Sequence, residues 1–222
     1  MKNFGWIAAL LLGLPVLALI FSALSADGDL FRHLVDTVLL DYLRNTSGLV
    51  LGVVLLSLLF GVPTAWLVAM CQVPGRRALQ WALMLPMAMP SYIVAYVYTD
   101  LLDYSGPLQA GLRSLFDWQS PADYWFPAIR SLGGAAWVLA LVLFPYVYLL
   151  ARASFLEQSV SLIRSSRLLG CTPWQSFRRL SLPLARPAIM VGASLVAMET
   201  LADFATVHFF AINTLTTAVY DT

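Results

Sequence analysis

A single lysine, Lys2, serves the whole 222-residue chain. That scarcity excludes a nucleotide-binding loop of the Gly-x-x-x-x-Gly-Lys-[Ser/Thr] type, whose lysine must reach the phosphates. Any ATP hydrolysis coupled to this protein therefore falls to another polypeptide. Histidine and cysteine are almost as scarce, with two of each. No Cys-x-x-Cys, His-x-x-x-His or Ser/His/Asp pattern occurs, so metal and hydrolytic chemistry have few groups to work with, and no cofactor or metal is expected. Cys71 and Cys171 fall in segments assigned to the cytoplasmic side, where thiols stay reduced, which argues against a disulfide. Charge is short too: 11% of residues are charged, against about a quarter in soluble domains. A net charge of +1 provides no broad basic face for nucleic acid.

What fills the chain is apolar, 60% of it, with a mean hydropathy of +0.78. Lipid must be the solvent for much of it. Five segments of about 20 residues are apolar enough to cross a bilayer as helices, 4–25, 48–70, 78–98, 133–150 and 184–210. The fold class expected is an all-α polytopic transmembrane helical bundle. The first segment follows Lys2 like a signal peptide, but its apolar run exceeds the roughly seven to fifteen residues of a signal core, so a retained anchor is favoured. With the N-terminus inside, Lys2, Arg76, Arg77, Arg152, Arg164, Arg167, Arg178, Arg179 and Arg186 are cytoplasmic. Arg32, Arg44, Arg113 and Arg130 fall outside, nine against four, as the positive-inside rule requires. Residues 101–132, rich in Gly, Pro and Trp, suit a segment lying on the outer surface. Residues 29–43 carry apolar side chains at helical spacing and read as a short interfacial helix.

Two intramembrane acids stand out. Glu199 and Asp203, four apart, share a face if the fifth span is one straight helix, and carboxylates in a membrane point to a translocation pathway. The plainer alternative is interhelical hydrogen bonding, or a wet position near the outer interface. His208, five residues from Asp203 and nine from Glu199, is turned too far away on such a helix to complete a metal site. Tyr92, Tyr96 and Asp100 follow one another at four-residue steps and offer hard oxygen donors, or else an aromatic belt at the headgroups. Pro86 and Pro90 permit a kink in the same span. Gly48-x-x-x-Gly52 and Ala193-x-x-x-Ala197 allow close helix approach.

Between the last two spans, residues 164–187 read Arg-Ser-Ser-Arg-Leu-Leu-Gly-Cys-Thr-Pro-Trp-Gln-Ser-Phe-Arg-Arg-Leu-Ser-Leu-Pro-Leu-Ala-Arg-Pro, a basic island. Arginines alone would serve a loop touching lipid headgroups. The pattern Ser165-Ser166, Gly170, then Leu180-x-Leu182-Pro183, resembles the loop by which bacterial ABC importer permeases engage their ATPase. That loop opens Glu-Ala-Ala in the family, and Arg164 stands here in place of the Glu. Residues 61–77, 85–98 (Leu-Pro-Met-Ala-Met-Pro-Ser-Tyr) and 198–207 (Met-Glu-Thr-Leu-Ala-Asp-Phe) resemble the ferric-iron branch of these permeases.

The resemblance implies a type I importer permease of the inner membrane with about five spans present and a cytoplasmic coupling helix within 157–182. It implies ATP-binding subunits held there through Arg164, Ser165, Ser166, Gly170, Trp174, Leu180, Leu182 and Pro183. It also implies an external substrate-binding protein and a second permease half or subunit. Residues 1–222 would form a single permease domain, the N-terminal half of a longer or split protein. Ferric iron is the substrate expected, with Glu199, Asp203, Tyr92 and Tyr96 along its path. Thiamine, sulfate or polyamine is the alternative, and a membrane-embedded enzyme or assembly factor using Glu199 and Asp203 is the rival of a different class.

Overall fold

Long apolar helices gain no hydrophobic drive by meeting inside a bilayer, so their packing depends on small residues that let backbones approach. The computed structural model describes residues 39–71, 73–120 and 123–221. The anchor expected over 4–25, and residues 29–38 of the interfacial segment, lie outside the described residues. The elements are α1 (Leu39–Met70), α2 (Arg76–Ala82), a 3₁₀ turn (Leu85–Ala88), α3 (Ser91–Leu102), α4 (Pro107–Phe116), α5 (Leu132–Glu157), α6 (Val160–Leu168), α7 (Pro173–Ser176), α8 (Leu182–Ala202), α9 (Ala205–Phe209) and α10 (Leu215–Asp221). No strand occurs among the described residues. Tyr42–Thr222 form one unit, and of the other, Met1–Asp41, only the first residues of α1 are described.

Three helical runs are long and apolar enough to cross a membrane, Leu39–Met70, Leu132–Glu157 and Pro173–Ala202. A fourth crossing is available only as a bent pair, Arg76–Ala88 and Ser91–Phe116, whose axes differ by 97°. One expectation needs correction. Residues 39–43, the described end of the expected interfacial segment, belong to α1 and are continuous with the span expected from residue 48. The kink that Pro86 and Pro90 permit is present as a full break in the third span, each proline removing a backbone donor and crowding the preceding turn.

α1 and α5 run parallel in close contact: a Cβ on Gly48 would lie 3.7 Å from Leu132, one on Gly52 3.2 Å from Ala136, and one on Gly61 2.8 Å from Val147. α8 returns antiparallel, and a Cβ on Gly192 would lie 2.9 Å from the Val147 backbone. Val147, fully buried, is thus held between glycines of two helices. The Gly48/Gly52 spacing is used as expected, whereas on α8 the contact falls on Gly192 and Val196 rather than on Ala193 and Ala197. At the end of α1, Ala65, Val68 and Ala69 pack with Tyr148, Phe155 and Phe177 in a second cluster. α4 is fastened outside the bundle by Gln109 Nε2 donating to the Leu102 carbonyl at 2.7 Å, and by Tyr124 Oη donating to Gln109 Oε1 at 2.6 Å. The stack Phe116, Trp118, Tyr124 completes this surface segment.

Candidate functional site

The bend of the paired segment and the end of α8 meet. α8 stops at Ala202 because Asp203 turns extended, with φ −75° and ψ 106°. The Asp203 carboxylate accepts from Thr206 N at 2.7 Å and Thr206 Oγ1 at 2.8 Å, so the chain restarts as α9. Aspartate readily competes for backbone donors in this way, favouring caps and turns over helix interiors. Ser91 Oγ, in the first turn of α3, donates to the same carboxylate at 2.6 Å. A negative charge beside the start of α3 also complements the helix dipole.

Beside this junction lies a cleft of about 550 Å³, walled by Met87–Ser91 on one side and Ala202–Ala205 on the other, with Val142, Leu143, Tyr146 and Glu199 between. Glu199 and Asp203 therefore share the cleft, but not through one helical face, since the helix ends between them. Their roles differ. Asp203 accepts three hydrogen bonds, whereas Glu199 is exposed and makes no hydrogen bond or ion pair among the described residues. Asp203→Ala is accordingly expected to lower stability by roughly 2–3 kcal/mol, the scale for hydrogen bonds to a charged group, while Glu199→Ala leaves the detergent melting temperature unchanged. Thermal melting of the two variants side by side checks this.

Tyr92 and Tyr96 do not join them. They are 52% and 63% exposed and line a separate hollow with Ile93, Phe204, Ala205, His208 and Phe209. Tyr96 packs against Phe209 with ring centres 6.2 Å apart. Among the described residues no group of three His, Cys, Asp or Glu side chains is placed to hold a metal.

The basic loop is built from α6, α7 and a π turn, Phe177–Ser181, that runs straight into α8. Gly170 has φ +81°, and Cys171 N donates to the Ser166 carbonyl at 3.1 Å, the six-to-one bond of a glycine-terminated helix. The four-residue step from Ser166 to Gly170 thus has a backbone cause. Thr172 and Gln175 form a reciprocal capping box that starts α7 at once. Ser166 Oγ and Ser176 Oγ lie 2.8 Å apart, drawing the two short helices together. Gln158 Nε2 donates to the Ser181 carbonyl at 2.9 Å, closing the base of the loop.

The expected anchors divide. Trp174 is 60% exposed, while Leu182 is half-buried against the protein's own second cluster, so it holds the loop in place rather than reaching outward. Leu180 is half-buried and Ser165 exposed, and Pro183 sits where the π turn passes into α8. For Arg164 only the backbone within α6 is described. Sequence reasoning missed Leu168 and Leu169, 88% and 84% exposed beside Gly170, and Phe177, whose ring centre lies 4.8 Å from that of Trp66 and 6.3 Å from that of Phe155. Adjacent leucines in a polar loop were the available signal for the first pair.

A family profile described as "Binding-protein-dependent transport system inner membrane component" matches residues 58–221. The chain is 32% identical over 160 residues to the molybdenum transport system permease protein ModB of Escherichia coli K12, covering 72% of this chain and 66% of that protein. It is 27% identical over 207 residues to the sulfate transport system permease protein CysW of the same strain, covering 90% and 66%. Against the molybdate/tungstate permease protein WtpB of Thermococcus kodakarensis the figures are 27% over 188 residues, 84% and 67%. The chain thus spans about two thirds of the length of these relatives. Their names carry molybdenum, sulfate or tungstate where ferric iron was expected. With the profile covering the interrupted spans, the cleft and the loop around Gly170, the chain belongs to the family of binding-protein-dependent transport system inner-membrane components.

Proposed function

We propose that this chain is a permease subunit of an ATP-driven importer for a tetrahedral oxyanion of the molybdate or sulfate class. It performs no chemistry on its cargo. The observation that carries the proposal is the likeness to molybdenum and sulfate permease proteins over 72% and 90% of the chain. The local chemistry agrees in one respect: Asp203 has its carboxylate occupied by Ser91 and Thr206, and Tyr92 and Tyr96 lie in another hollow, so no cluster of free hard donors among the described residues awaits a ferric ion.

In this reading an external binding protein delivers the anion, and a second permease half or subunit completes the path; Glu199 and Asp203, proposed along the path of a cation, would repel an oxyanion and so do not serve as its ligands. ATP-binding subunits hold the loop 157–182 inside. Trp174, Leu168 and Leu169 supply its outward apolar contacts, and the exposed Arg178 and Arg179 steer an acidic partner surface. ATP-driven closure of the partner then moves the loop, and because the π turn joins it continuously to α8, the motion reaches the interruption at Asp203. The N-terminus lies in the cytoplasm, following the arginine bias.

The test is uptake by the complete transporter in cells deleted for their own molybdate and sulfate permeases. Import of labelled molybdate or sulfate, lost when the ATPase is inactivated, is the expected result. Import of ferric iron without either anion would overturn the substrate assignment.

A further inference from the structure

We propose that Asp203 is a positioning residue that latches the cleft shut, by tying the start of α3 to the interruption between α8 and α9. The purpose of the latch rests on the transport function proposed for the chain, whereas its geometry does not. Ser91 and Asp203 are 112 residues apart in sequence, and the 2.6 Å bond between them joins two walls of the same cleft. Each wall ends at a hinge. On one side the chain bends at Pro90, where no backbone donor exists; on the other the helix has already stopped at Ala202.

Thr206 is fully buried and gives Asp203 two of its three hydrogen bonds, so the carboxylate is fixed to the α9 side whether or not Ser91 is present. The Ser91 bond is the part free to break. Loss of that one charge-assisted bond would loosen the start of α3 from the α8–α9 junction without unfolding either segment, while the packing of Tyr96 on Phe209 further along α3 stays in place and serves as the pivot. A latch of this kind suits a gate, because it is local and short, and leaves both hinges intact when it opens.

The experiment uses the complete transporter in proteoliposomes, with Cys71→Ser and Cys171→Ser and a reporter, Val142→Cys, at a buried position lining the cleft. A water-soluble maleimide reports how often the cleft opens. Ser91→Ala is expected to speed labelling about tenfold or more, the scale of one hydrogen bond to a charged group. Ser91→Thr, which keeps the hydroxyl, should label at the parental rate. The double variant Ser91→Ala/Asp203→Ala should label no faster than Asp203→Ala alone, since both remove the same link. Parental labelling in Ser91→Ala, with or without a lowered melting temperature, would overturn the latch and leave the bond a packing contact. Multiplicative effects in the double variant would overturn it as well. Anion uptake measured on the same vesicles separates the latch from the substrate: if the parent imports neither molybdate nor sulfate, the substrate assignment falls, while the labelling rates still decide whether the latch exists.

Discussion

Replacing Gly192 with leucine is expected to abolish recovery of folded protein, the largest single-residue effect foreseen in the bundle. A Cβ at Gly192 would stand 2.9 Å from the Val147 Cα and 3.4 Å from the Tyr146 carbonyl oxygen and the Val147 nitrogen. All three are backbone atoms, so no side-chain rotation relieves the contact, and α5 and α8 must separate. Val147 cannot retreat, because Gly61 of α1 lies against its other side. Overpacking of a tight core costs about 1–3 kcal/mol, and a backbone collision flanked by a third helix belongs at or above the top of that range. Gly192→Ala should be milder, because the gain of about 1 kcal/mol in helix propensity offsets part of the strain. Gly111→Ala on α4 is the control: nothing lies within 4 Å of its Cβ, so stability should hold or rise slightly. Thermal melting and monodisperse yield in detergent measure all three, and a Gly192→Leu protein that melts with the parent would show that α8 is not held at this crossing.

The contrast between Gly192 and the Ala193/Ala197 pair shows what the sequence made legible. Composition announced a helical membrane protein and located three long apolar helices and the bent pair that could form a fourth crossing, since hydropathy depends only on the kind of residue. The phase of contact around α8 was not legible, because a one-residue rotation leaves hydropathy unchanged and the deciding fact is the position of the Val147 backbone on another helix. The straight-helix assumption failed at Asp203 for a similar reason. An aspartate after an apolar run reads as a buried charge until its partners are known, and those partners, Ser91 and Thr206, turn it into a helix stop. The loop around Gly170 was the most legible part. Its spacing from Ser166 to Gly170 is a local backbone requirement, whereas the inward turn of Leu182 depends on Phe155 and Phe177.

That backbone requirement leads to the second large effect, at Gly170. Its φ of +81° lies in the left-handed region, where a side chain costs roughly 1–2 kcal/mol and a β-branched one is especially ill suited, yet nothing within 4 Å would obstruct a Cβ. Backbone strain can therefore be separated from steric collision within the chain. Gly170→Val should release the turn between α6 and α7, displace the exposed Leu168, Leu169 and Trp174 on either side of it, and lower ATPase co-purification about 5- to 30-fold, the factor that 1–2 kcal/mol represents. Membrane insertion should be unchanged, because α5 and α8 are fastened elsewhere by Gln158, Phe155 and Phe177. Gly170→Asn supplies the decisive comparison, since asparagine accepts the left-handed conformation at helix ends. Retained ATPase binding in the Asn variant with loss in Val would assign the effect to backbone conformation. Loss in both would mean that the open space over Gly170 is filled by the partner. Normal ATPase recovery in Gly170→Val would show that the loop 157–182 is not where the partner is held.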